Sequence, residues 1–131
     1  MSDRGADRDR IVDHYRAPRN FGSLPAPDRV CRDENPLCGD DLTVELHLQD
    51  GVIADLRFNG TACAVTVAAA SIASEELIGM EAAQALSLDE NWILQHVGPD
   101  LSPGRRQCAQ MCLRVVRGAL SGTPSWPSQT R

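Results

Sequence analysis

The sequence predicts an α+β fold: an antiparallel hairpin with helices laid on its apolar face. Three observations carry this. Residues 41–59 alternate apolar and polar side chains on both sides of an Asp50-Gly51 turn signal. Residues 64–78 form a long run dense in Ala and Ser. A second long apolar-patterned run follows Cys108.

Taken in order, residues 1–7 are polar and expected to fray. Residues 8–16 read as a short helix with Ile11, Val12 and Tyr15 on one face. Pro18 ends it, because the residue before a proline is pushed out of the α region. Residues 20–28 hold Gly22, Pro25 and Pro27 and read as a loop. Residues 29–33 suit a short strand. Leu42, Val44, Leu46 and Leu48 then alternate with Thr43, Glu45, His47 and Gln49, a period of two that marks one buried face. Asp-Gly is a strong hairpin turn. After it Val52, Ala54, Leu56 and Phe58 are expected to point inward, against Ile53, Asp55, Arg57 and Asn59 outward.

Asn59-Gly60 breaks the second strand. Residues 64–78 exceed a typical strand in length, and alanine favours helix. Their small side chains let that helix lie close to the sheet. Gly79 is the expected helix stop. Residues 81–86 form a short helix, and Ser87-Leu88-Asp89-Glu90 matches a capping box for the next. Residues 98–104 read as a loop with two prolines. Residues 108–120 form a last helix with Met111, Cys112, Val115, Val116 and Leu120 available for its inner face. Residues 121–131 are a Pro/Ser-rich tail expected to be disordered. There is no internal repeat, and a chain of 131 residues is most simply one domain.

Composition narrows the chemistry. Hydrophobic residues make up 42% but aromatics only 4%, so the core must be aliphatic and alanine-rich. The net charge of −5 argues against non-specific nucleic-acid binding, which needs basic surface. No apolar run approaches the ~20 residues of a membrane span. The first residues lack the apolar stretch of a signal peptide, so a cytoplasmic location is expected. In that compartment five cysteines read as metal-binding or catalytic rather than as a disulfide framework.

Cys38, Cys63 and Cys108 stand out by context. Cys38 sits in the turn sequence Pro36-Leu37-Cys38-Gly39-Asp40, Cys63 follows Gly60-Thr61-Ala62, and Cys108 opens the last predicted helix. A thiolate is the ligand and the nucleophile, and helix N-termini and nearby cations favour it. The hairpin returns its two ends to one place, so Cys38 and Cys63 should be neighbours. Cys108 would complete the cluster, and Asp40 offers a carboxylate oxygen. Three thiolates, with or without that carboxylate, suit a tetrahedral zinc site or an iron–sulfur anchor. The residues themselves leave both open. Cys31 is expected to be a buried or chance thiol. Cys112, one turn beyond Cys108, is expected in the core, with a ligand role as the alternative. His14 is expected to be solvated or capping, His47 to lie on a polar strand face, and His96 to satisfy a helix C-terminus.

The ordered motifs Asp13-His14-Tyr15, Pro18-Arg19-Asn20, Pro36-Leu37-Cys38-Gly39-Asp40, Phe58 to Ala64 and Arg105 to Ala109 resemble those of IscU-type iron–sulfur assembly proteins. That family comprises IscU, SufU and the N-terminal domain of NifU. The similarity spans roughly residues 8–120. It implies a three-stranded antiparallel sheet with helices packed on it. It also implies a scaffold, not an ordinary enzyme, that takes sulfur from a cysteine desulfurase and binds iron. Such a scaffold builds a transient [2Fe–2S] cluster and transfers it to acceptor apoproteins. By motif position Cys38, Cys63 and Cys108 would be ligands or sulfur acceptors, with Cys108 in the catalytic position. Asp40 would be a ligand or a tuner of release.

There are departures from the pattern. The IscU histidine before the third cysteine is Gln107 here. The segment a dedicated heat-shock-type chaperone would recognise reads Leu101-Ser102-Pro103-Gly104-Arg105, which argues against that partner. The missing histidine resembles SufU, and with it comes the alternative of a zinc-bound sulfurtransferase relaying persulfide. A degenerate homologue that only binds a partner or regulates assembly is the third reading.

Overall fold

The computed structural model describes residues 4–35, 39–98 and 101–121. Helix α1 (Arg4–Arg16) leads into strands β1 (Arg29–Asn35), β2 (Asp40–Gln49) and β3 (Val52–Asn59). Helix α2 (Ala64–Leu77), the short α3 (Ala82–Leu86), a 3-10 turn (Glu90–Ile93), α4 (Leu94–Val97) and α5 (Pro103–Ser121) follow. The strands form one antiparallel sheet in the order β1-β2-β3. The three-stranded sheet with packed helices is the predicted fold class. Helix α1 starts at Arg4, earlier than the frayed segment predicted, while the expected tail at 122–131 lies outside the described residues.

The hairpin forms where its turn chemistry demands. Asp50 and Gly51 have φ of 53° and 78°, the positive pair of a turn whose twist matches the flanking strands. Leu42, Val44 and Leu46 are buried, as their alternation requires. β3 keeps its predicted parity at Leu56 and Phe58, which are buried, and departs from it at Ile53 and Ala54. His47 pairs with Asp55 but Leu48 pairs with Ile53, so Ala54 is the extra residue of a bulge. Ile53 is therefore fully buried and Ala54 exposed. The backbone groups of Ile53 face away from β2. Its N–H donates to Met80 O (2.9 Å), and Gly79 N donates to Ile53 O (2.7 Å), so the α2–α3 turn holds that outer edge of β3. The residues 20–22 shield the free edge of β3, with Phe58 N donating to Asn20 O and Gly22 N to Phe58 O.

The inner face of the sheet carries α2 and α5, which also pack on each other. Ala69, Ala70 and Ala73 of α2 are fully buried beside Ile72, and α5 contributes Met111, Cys112, Val115 and Val116. α2 stops at Leu77, with Gly79 (φ 94°) just beyond its C-cap Ile78. The predicted capping box at Ser87 does not form. The Ser87 hydroxyl donates to Gln84 O at the end of α3, and Asp89 caps the next turn by accepting from Asn91 N at 2.7 Å. α5 begins at Pro103, five residues before the predicted start. Pro103 holds the first helical position, where its missing N–H costs nothing. Ser102 caps it, its Oγ accepting from Arg105 N.

His14 is not solvated, as its sequence context suggested. It is 5% exposed and ties α1 to α2. The side chains of His14 (Nδ1) and Ser71 (Oγ) share a 2.7 Å hydrogen bond, and Ser71 Oγ also accepts from Arg19 N at 2.8 Å. The other ring nitrogen lies 3.8 Å from the Glu75 carboxylate. Burial, followed by the Arg19 charge, pushes the His14 pKa below 6.5; Arg10 adds to this, and Glu75 and Asp13 oppose it. The unfolded chain therefore binds the imidazole proton more readily than the folded one. Stability should fall as pH drops below about 6.5. We expect the thermal midpoint to drop between about pH 7.5 and about pH 5.5, with a shallower drop in His14→Gln. Equal slopes in the two proteins would show that His14 is not the titrating group.

Candidate metal centre

Three elements deliver one donor each to a single place. Asp40 is the first residue of β2 and points to the inner face, 5% exposed. Cys63 is the N-cap of α2, with extended backbone (φ −69°, ψ 166°), and is exposed. Cys108 lies in the second turn of α5 at the rim of the core, 9% exposed. A carboxylate oxygen of Asp40 and the Sγ atoms of Cys63 and Cys108 all lie within 4.8 Å of one another. Two thiols and a carboxylate at that separation fit a single soft or borderline cation, since tetrahedral ligands at Zn–S of ~2.3 Å stand ~4 Å apart.

Hairpin geometry explains the convergence of Asp40 and Cys63. β2 starts where β3 ends, so the chain leaving β3 runs past the first residues of β2. The Asp41 N–H donates to Thr61 O at 2.8 Å, locking the β3–α2 segment to β2. Gly60 sits in that segment with φ 140°. The Asp40 carboxylate then caps α2 from another strand. Its Oδ1 accepts from Cys63 N at 3.0 Å, and its Oδ2 accepts from the Thr66 hydroxyl at 2.8 Å. The Cys63 side chain makes no cap hydrogen bond, which leaves its sulfur turned to the cluster. Thr66 Oγ1 also lies 3.3 Å from Cys63 Sγ.

Cys38 lies outside the described residues. Cys108 does not open its helix, as the sequence suggested, because α5 starts a full turn earlier; of the two described cluster cysteines only Cys63 stands at a helix N-terminus. Gln107, Arg105 and Arg106 beside it are exposed. Thr66 was missed in the sequence. The available signal was a lone hydroxyl among Ala and Val three residues after an N-cap cysteine.

A family model described as the NifU-like N terminal domain matches residues 6–126. The chain belongs to this family. Among NifU-like relatives, an iron–sulfur cluster assembly scaffold protein IscU 1 of Archaeoglobus fulgidus is 30% identical over 112 residues. That alignment covers 86% of this chain and 72% of the relative. The zinc-dependent sulfurtransferase SufU of Bacillus subtilis is 29% identical over 125 residues, covering 95% and 79%. The structure of an N-terminal NifU-like protein from Brucella abortus shares the fold, with a TM-score of 0.70 at 24% identity, over 86% of this chain and 90% of that one.

The other described cysteines of this NifU-like domain pack in the core. Cys31 on β1 is 2% exposed opposite Val44. Cys112 is 1% exposed, and burial pushes its thiol up to about 12. A thiol so reluctant to ionise is a poor ligand. We expect Cys112→Ala and Cys112→Ser to bind as much metal as the parent. Cys112→Ser should be the less stable, by about 1–2 kcal/mol, because it buries a hydroxyl among apolar neighbours. Denaturant melts and metal analysis check both points; metal loss in the two variants would assign Cys112 to the site. The remaining histidines are peripheral. His47 pairs with Asp28 at 3.4 Å, and the His96 ring lies tilted against Trp92, with ring centroids 4.8 Å apart. No helix among the described residues is long and apolar enough to cross a membrane.

Proposed function

We propose that this NifU-like domain is an iron–sulfur cluster assembly scaffold. It takes sulfur from a cysteine desulfurase, binds iron through Cys38, Asp40, Cys63 and Cys108, builds a [2Fe–2S] cluster and passes it to acceptor apoproteins. The observation that carries this reading is the meeting of Asp40, Cys63 and Cys108 within 4.8 Å. Thiolates suit iron and sulfide, and one harder oxygen donor gives a site that can also let go. Cys38 precedes Asp40 by two residues and supplies the third thiolate. The protein acts as a carrier rather than an enzyme.

Sulfur arrives by exchange. The Cys108 thiolate attacks the outer sulfur of the desulfurase persulfide. The donor's S–S bond breaks, its cysteine leaves as a thiolate, and Cys108 holds the sulfur. Arg105 and Arg106 leave cationic side chains exposed on the same helix, suited to meeting an anionic donor surface. The work of the site needs no membrane and no nucleic acid, in keeping with a cytoplasmic carrier.

A second reading is favoured by Gln107, which stands where a histidine ligand would be in IscU-type chains, and by the likeness to a zinc-dependent sulfurtransferase. In it the same donors hold zinc and the protein relays persulfide. Anaerobic purification, metal analysis and a visible spectrum after iron and sulfide loading separate the two. Bound iron and sulfide with visible absorbance are expected. Stoichiometric zinc and no absorbance would replace the scaffold by the relay, and neither metal nor cluster would overturn both.

A further inference from the structure

We propose that Thr66 is a positioning residue of the metal centre: its hydroxyl fixes the Asp40 carboxylate and the Cys63 sulfur in their donor geometry. This rests on the assignment of Asp40, Cys63 and Cys108 as the donor set.

Thr66 is fully buried in the first turn of α2, among alanine and valine neighbours. Valine would fill that space equally well. A buried hydroxyl costs free energy unless it is paired, so its partners explain its presence. A helical threonine usually turns its hydroxyl back to the carbonyl three or four residues earlier. Here the proton goes instead to Asp40 Oδ2 at 2.8 Å. The oxygen sits 3.3 Å from Cys63 Sγ. One hydroxyl thus touches two of the three donor side chains.

The consequence for Asp40 is geometric. With Oδ1 held by the Cys63 N–H and Oδ2 held by Thr66, the carboxylate cannot turn about its last bond. Each oxygen keeps a lone pair free. Removing Thr66's hydroxyl leaves Oδ2 buried without its partner and the carboxylate held only by the Cys63 N–H. The Cys63 sulfur loses its polar neighbour at the same time. Hydrogen bonds of this kind to metal ligands typically change affinity by about 10–100-fold.

The test uses the full chain, freed of metal and titrated with cobalt(II) under a phosphine reductant. Cobalt reports affinity and, through its ligand-field and sulfur charge-transfer bands, geometry. Thr66→Val removes the hydroxyl and keeps the shape; Thr66→Ser keeps the hydroxyl. Thr66→Val should bind cobalt at least about tenfold more weakly, with altered ligand-field bands. Thr66→Ser should restore both. In an Asp40→Ala background the added Thr66→Val change should lose most of its effect, because the shorter of its two ties, the bond to Asp40, is already gone and only the contact with Cys63 is left. Melting curves of the metal-free proteins confirm that each variant is folded during the titration. Parent-like affinity and bands in a folded Thr66→Val overturn the proposal alone. So does a full effect of Thr66→Val without Asp40. If the parent itself binds no cobalt, the donor set and the proposal fall together.

Discussion

Replacing Gly60 with alanine should both unfold the domain more easily and disable its metal centre. At φ 140° an L side chain is already strained. The added Cβ would also land on the carbonyl oxygen of Asp41 and within 2.9 Å of its side-chain Oδ1. A backbone carbonyl in a strand cannot step aside, so the β3–α2 segment must move. That movement breaks the Asp41 N–H bond to Thr61 and draws Cys63 away from Asp40. Strain and overlap together should cost about 3 kcal/mol, a fall in melting temperature of about 10 °C. Cobalt or zinc binding should weaken even at temperatures where the variant is folded. Gly79→Ala is the matched control: its φ of 94° is also unfavourable, but its Cβ meets nothing within 4 Å. It should cost less and leave metal binding intact. If Gly60→Ala melts like Gly79→Ala and binds metal normally, the close approach does not hold the centre together.

What the sequence disclosed, and what it hid, divides by the range of the interaction. The strands β2 and β3 and their turn were legible because alternation and Asp-Gly are local. The return of the hairpin's ends to one place was legible too. It led to the expectation that Cys38 and Cys63 are neighbours. Cys38 lies outside the described residues, and Asp40 is what meets the Cys63 segment there. The parity of β3 was legible at Leu56 and Phe58 but not at Ile53 and Ala54, where a bulge intervenes. The partners of Ile53's outward backbone groups are Gly79 and Met80, beyond α2. His14 and Thr66 were hidden for the same reason. Their partners, Ser71 and Asp40, lie 57 and 26 residues away in the chain. A buried polar side chain is explained by its partner, and helix periodicity does not name that partner. The start of α5 could have been read locally. Ser102-Pro103 is a cap followed by a proline at the first helical position, but two prolines and two glycines in residues 98–104 made the stretch look like a loop.

The second large effect concerns Asp40. Asp40→Ala should leave cluster assembly possible but make the assembled cluster persist, with transfer to an apo-ferredoxin slowed about tenfold or more. A carboxylate is a harder and more labile partner for iron than a thiolate. On the proposed scaffold reading, its departure would open the iron position at which an acceptor thiolate can enter. If the variant is loaded with iron and sulfide in the presence of a small added thiol, that position would pass to its thiolate, which iron holds longer. Equilibrium affinity for a single divalent ion should move the other way, because in the absence of such a thiol the centre has simply lost a donor. The substitution also strands two donors, the Cys63 N–H and the buried Thr66 hydroxyl. A loss of about 2 kcal/mol in stability follows. Decay of the cluster's visible absorbance and circular dichroism of the loaded ferredoxin measure persistence and transfer separately. Transfer at the parent's rate, in a folded variant that carries cluster, would show that release does not begin at Asp40. The lability would then belong to one of the thiolates, with the carboxylate reduced to capping α2.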